Sequence, residues 1–175
     1  MKVFALLGLI LPCLASPSES LRSFGVAVKS LKLAAENETT VFEYSLSLGT
    51  ASGAVTQQWH AGNNNMNLRV RIFVDGEANA SVEYPVALAH GAGPVQVTLG
   101  AAEGRTSRSS LAGQSDTGFW NNFLVIFQSS VRVTLTSAEQ MPIWYMVRDL
   151  ENGPLVAAGV SLPPTARLQT QPSCD

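Results

Sequence analysis

Asp75, Glu77 and Glu83 gather around a single Asp-Gly turn, and a pair of carboxyl groups is the tool with which most glycosidases cleave their bond. The same turn has a plainer explanation. Asp before Gly76 suits a tight turn, and Glu77 stands where the turn meets solvent, so backbone geometry accounts for the cluster without catalysis. Trp59, Trp120, Trp144 and Tyr145 form the second set. Exposed, their rings are platforms on which sugars stack; buried, they belong to the core, where most aromatic side chains of a β-rich domain go. Asn121-Asn122 interrupts an otherwise apolar run. Buried amides need partners, so this pair either caps a sheet edge or faces a polar cleft. The ligand-binding candidates are therefore Trp59, Asp75, Glu77, Trp120, Asn121 and Asn122.

Other chemistries lack their apparatus. His60 and His90 have no cysteine or carboxylate at ligand spacing, so no metal site is expected. There is no G-x-S-x-G, no phosphate-cradling glycine loop and no Cys/His pair, so neither nucleophilic catalysis nor a cofactor is expected. Net charge is −2 and the arginines are scattered. Without a basic stripe, nucleic acid is not an expected partner.

The elements that position these residues read as strands. Leu68, Val70, Ile72 and Val74 alternate with Asn67, Arg69 and Arg71, the period of a half-buried strand, so the first set should face the core and the arginines should face out. Residues 41–48 alternate likewise, with Phe42, Tyr44, Leu46 and Leu48 expected on one side. Residues 54–60, 82–88, 95–99, 119–127, 131–136, 143–150 and 155–160 complete the set, and residues 25–35 fit a strand or a short helix. Residues 100–118 are rich in Ser, Gly and Arg and read as a long loop. Eight or nine short strands at close spacing point to an all-β fold, an antiparallel β-sandwich of jelly-roll type.

The ends carry the remaining signals. Lys2, the apolar run of residues 3–14 and the small Ala15 and Ser16 make residues 1–16 a secretory signal peptide. Residues 17–162 then form one β-sandwich domain, followed by a flexible polar tail at 163–175. The mature chain is expected outside the cell, without a membrane span, because no later apolar run reaches 18 residues. Cleavage removes Cys13 and leaves Cys174 as the only thiol, so the fold must rest on its core. Hydrophobic residues make up 46% of the chain and charged residues 14%, a composition that supports such a core. Asn37-Glu38-Thr39 and Asn79-Ala80-Ser81 are sequons, which makes Asn37 and Asn79 the glycosylation candidates.

Three blocks resemble one family. They are Gly53-Ala54-Val55-Thr56-Gln57-Gln58-Trp59, then residues 68–77 with Ser81-Val82-Glu83-Tyr84-Pro85, then Gly118-Phe119-Trp120-Asn121-Asn122-Phe123 with Phe127 and residues 130–135. In order and approximate spacing they resemble the N-terminal jelly roll of glycoside hydrolase family 172, formerly domain of unknown function 2961. Leu124-Val125-Ile126 stands where that family has Pro-Met-Pro, and Leu88-Ala89 replaces its double Phe. Members are about twice this length, and the motifs holding their catalytic glutamates, in a second jelly roll, do not occur here. The resemblance implies a jelly roll, a fructose- or arabinose-containing saccharide, and a homo-oligomer (trimer or hexamer), with no catalytic residue to carry over.

Three functions compete at this point: a secreted non-catalytic module that binds carbohydrate or self-assembles, a glycoside hydrolase subunit whose carboxylates come from another chain, and a structural surface protein without a sugar ligand. An exposed aromatic pair would favour the first.

Overall fold

Alternating side chains make the strands here, and the computed structural model describes residues 21–62, 68–86, 112–115, 118–157 and 159–168. Every element named among them is a strand: β1 (Arg22–Leu33), β2 (Thr39–Ser45), β3 (Gly53–Ala61), β4 (Leu68–Val74), β5 (Val82–Pro85), β6 (Ala112–Ser115), β7 (Gly118–Asn121), β8 (Val125–Phe127), β9 (Ser130–Ser137), β10 (Met141–Glu151), β11 (Val156–Ala157) and β12 (Val160–Ser161). One sheet runs β1-β10-β3-β7-β6, with β8 also pairing β3; the other runs β2-β9-β4-β5. In both sheets a late strand thus lies between two early ones, β10 between β1 and β3 and β9 between β2 and β4, and these pairings are antiparallel. That interleaved order is the wrapped double Greek key of a jelly roll.

The expected register of β4 holds. Leu68, Val70, Ile72 and Val74 are all fully buried, and the intervening Arg69 and Arg71 reach out to Glu83 on β5. Val131, Val133 and Leu135 of β9 and Ile143, Tyr145 and Val147 of β10 meet them between the sheets. Gly53 is required at its position. A Cβ there would stand 2.4 Å from the Phe127 ring, whose edge lies against the β3 backbone.

Of the two readings of residues 25–35 the strand holds, as part of β1, which ends at Leu33 and carries a bulge between Val28 and Leu31. Four boundaries differ from the sequence reading. Leu48 does not join Phe42, Tyr44 and Leu46 against the core. A turn closed from Thr50 N–H to the Ser47 carbonyl ends β2 before it, and its side chain is fully exposed. The run 119–127 is two strands, because both pair with β3 at different places, Trp120 with Trp59 and Ile126 with Ala54. In place of one strand at 155–160, Val156–Ala157 pairs with Val160–Ser161 as the small β11–β12 pair, with Gly159 at φ 79° between them. Part of the expected 100–118 loop is strand β6; the expected strand at 95–99, His90, both cysteines and residues 1–16 lie outside the described residues. No helix among the described residues is long and apolar enough to cross a membrane.

Candidate functional site

The outward side of the first sheet collects the aromatic candidates. Trp59 on β3 is the direct cross-strand partner of Trp120 on β7 and of Met146 on β10, so these side chains form a row across three strands. Directly opposed residues on a sheet have Cβ atoms roughly 5 Å apart, close enough for large side chains to share one surface. Trp144 lies two residues from Met146 on the same side of β10 and is 38% exposed. All three tryptophans of the chain therefore stand on one face. Gln57, Trp59, Trp120, Asn122 and Met146 line an open depression of about 460 Å³. At its edge the Gln57 amide nitrogen donates to the Asn122 side-chain oxygen at 3.2 Å.

Trp59 is held in place by a glycine. A Cβ at Gly118 would come within 3.1 Å of the indole Cε2 and Cζ2 atoms, so the ring lies against bare backbone of β7. One face of the ring is spent on that packing, and the residue as a whole stays partly exposed.

Asn121 and Asn122 separate as consecutive strand positions must. Asn122 joins the outer depression, whereas Asn121 is fully buried and donates from Nδ2 to the Tyr84 hydroxyl at 2.8 Å. Behind the tryptophan row, Tyr145 donates its hydroxyl to Gln58 Oε1 at 3.2 Å, and the His60 ring packs on Tyr145 with centroids 5.2 Å apart. Burial pushes the Tyr84 and Tyr145 hydroxyls well above their ordinary pKa, so both act as neutral hydrogen-bonding groups. Tyr145, one of the stacking candidates, is core and not platform.

The carboxylate cluster lies apart, on the second sheet. Asp75 and Gly76 both have positive φ, 54° and 76°, and Glu77 N–H donates to the Val74 carbonyl at 3.0 Å. That is the mirror-image turn for which Asp-Gly is suited. Asp75 Oδ1 accepts from the backbone N–H groups of Gln128, Ser129 and Ser130 and from the Ser129 hydroxyl. Its Oδ2 meets Arg167 at 2.5 Å, so the segment after β12 is tied back to this turn. Burial alone would raise the Asp75 pKa, but these hydrogen bonds outweigh it and hold the carboxyl below the usual range. Glu83 behaves likewise: burial opposes ionisation, and Arg69 and Arg71 overcome it. Glu77 accepts from the Ser81 hydroxyl. Each carboxylate is thus engaged in holding a turn or a strand pair.

Asn37 and Asn79 are both exposed, in the connections β1–β2 and β4–β5. No group of three or more His, Cys, Asp or Glu able to hold a metal occurs among the described residues.

Gln57, Met146 and Arg148 were not singled out in sequence. Their place beside the tryptophans depends on the β10–β3–β7 order, which brings together residues far apart in the chain; only their shared strand parity is readable beforehand. The architecture and this face define an all-β antiparallel sandwich with one open, aromatic sheet surface. No protein-family model and no curated protein matches the sequence. Among solved structures, the chain is similar to one from the disulfide-linked pili of Bacillus endospore appendages, at 10% identity and TM-score 0.41, covering 79% of this chain and 95% of that one. It is also similar to a chain in the structure of infectious bursal disease virus Gx strain, at 13% identity and TM-score 0.33, covering 77% of this chain and 32% of that one.

Proposed function

We propose that the chain is an extracellular, non-catalytic module that binds a saccharide on the Trp59–Trp120 face. The observation that carries this reading is the gathering of all three tryptophans on one outward sheet surface, beside the Gln57–Asn122 amide pair. A sugar ring presents apolar C–H groups on its face and hydroxyls at its rim. Indole rings cover the first, and side-chain amides, which both donate and accept, serve the second. The blocks that resemble glycoside hydrolase family 172 favour the same ligand class, and the Lys2-to-Ser16 segment favours export.

Fluorescence titration with a set of oligosaccharides tests the reading, since every tryptophan is at the face. Trp59→Ala is expected to weaken binding about tenfold or more through lost ring contact, with the far-ultraviolet circular dichroism unchanged. A variant that bound as tightly as the parent would refute the assignment of the face.

Hydrolysis is not expected. The carboxylates of the turn are tied to backbone, arginine and serine, whereas a glycosidase needs two carboxyl groups flanking the scissile bond. Incubation with aryl fructofuranosides and arabinofuranosides should release nothing above background. Turnover lost in Glu77→Gln or Glu83→Gln would move the active site onto that turn.

A further inference from the structure

We propose that the saccharide taken by this face is acidic, and that Arg148 is the side chain that reads its negative group; this rests on the saccharide reading above. Three observations carry it. First, Arg148 is the direct cross-strand partner of Gln57, which places it beside the amide pair at the edge of the depression. Second, its side chain is exposed, and its guanidinium has no ion pair or hydrogen bond among the described residues, unlike Arg22, Arg69, Arg71 and Arg167, which all hold carboxylates. Third, the outward positions of the described strands around it carry charge of one sign. On β10 they are Pro142, Trp144, Met146, Arg148 and Leu150, on β3 Gln57, Trp59 and Ala61, and on β7 Gly118 and Trp120, while β1 adds Lys32 opposite Pro142. None of these is a carboxylate.

The opposite sheet shows what a merely solvated face looks like in this protein. There Arg69 and Arg71 are matched by Glu83 and Glu38, and the remaining arginine of its strands, Arg132, is stacked on the Phe73 ring. A face with tryptophans, amides and cations that have no carboxylate partner among the described residues suits a ring with a carboxylate or sulfate at its rim. The planar guanidinium fork fits such a group with two parallel hydrogen bonds. A second copy of the same face would instead bring cation to cation, which disfavours it as the occupant.

Oligogalacturonate and its fully methyl-esterified form are matched probes, equal in ring chemistry and different in charge. Titrated against the full chain by tryptophan fluorescence at low salt, the acid is expected to bind about tenfold tighter than the ester, the scale of a charge-assisted pair. High salt should narrow the gap. Arg148→Gln should bring the affinity for the acid down to that for the ester, and Arg148→Lys should keep part of the preference. Equal affinities in the parent, or a preference that survives Arg148→Gln, would overturn the inference while leaving a saccharide site in place. An array of neutral and acidic glycans on which nothing binds would remove the saccharide reading itself. Tighter binding of a single-stranded oligonucleotide, or a dimer that shields the tryptophans from quenchers, would give the face to another occupant and overturn the proposal.

Discussion

Val70→Asp is expected to prevent folding at room temperature, whereas Arg71→Ala, one residue along the same strand, should cost about 1 kcal/mol or less. Val70 is fully buried and lies between Tyr84 of β5 and Leu135 of β9. An aspartate there would have apolar neighbours on either side and no cation in reach. Burying an unpaired carboxylate costs several kcal/mol even after its pKa adjusts, comparable with the whole stability of a domain this size. Arg71 has the opposite setting. Its partners are Glu83 at 3.1 Å and Glu38 at 3.4 Å, with about a third of each side chain in solvent, and Arg69 still holds Glu83 when Arg71 is gone. Urea titration of the two variants decides the matter. Equal losses would mean that β4 is read in the wrong register.

That contrast was legible because β4 alternates from Leu68 to Ile72, and in a strand of period two each apolar residue fixes the side of the next; only Phe73, covered by Arg132 on the other side, breaks the pattern. The same rule explains what was missed. Asn121-Asn122 looked like one polar unit within an apolar run, yet consecutive residues face opposite sides, one to Tyr84 in the core and one to Gln57 outside. Leu48 followed the parity of Phe42 and Tyr44, but the turn read from Gly49 onward begins earlier, at Ser47, and takes Leu48 into it. The site was half legible. Trp59, Trp120 and Asn122 were picked by residue type, but which of the aromatics share a surface depends on sheet order. Strand alternation states parity and says nothing of which strands are neighbours. Family resemblance placed the blocks in a jelly roll without identifying this face, which is built between blocks and not within one.

The charge network gives the aromatic face its contrast. Beside the second sheet, Glu38 accepts from Thr134 at 2.5 Å while pairing with Arg71, and Arg69 pairs with Glu83, while Arg132 stacks on the Phe73 ring. Strands that spend their charges on each other stabilise a sheet by tenths of a kcal/mol per pair; under the proposal above, cations left beside indoles and amides serve a ligand. The division of labour between the sheets is a matter of side-chain choice on a common scaffold, which is why fold alone does not assign it.

The second large effect concerns Asp149, and it should make the protein more stable in mild acid than at neutral pH. Strand parity from Ile143, Tyr145 and Val147 points Asp149 and Glu151 inward, and both are fully buried. Glu151 has partners, the Tyr44 hydroxyl at 2.7 Å and Arg22 at 3.5 Å. Neither oxygen of Asp149 has a hydrogen-bond donor among the described residues. Its strand neighbours are Phe24 of β1 and Val55 of β3, with Tyr145 and Glu151 on its own strand and no cation among these. Burial therefore pushes the carboxyl up to about 7 from its ordinary 3.8. Between those values the folded chain holds a proton that the unfolded chain has released, so stability falls as pH rises through this window and levels off above it. The slope is at most about 1.4 kcal/mol per pH unit, which sums to a loss on the order of 4 kcal/mol. Asp75 and Glu83, with lowered values, act in the other direction: their contribution is present above about pH 4 and is lost as pH falls further. A stability maximum in the mildly acidic range follows. Asp149→Asn should flatten the fall between pH 4 and 7 and stabilise the chain at pH 8, as read from urea midpoints across that range. A parent protein whose midpoint rises steadily from pH 5 to 8, or a variant that keeps the full decline, would show that Asp149 is ionised in the fold.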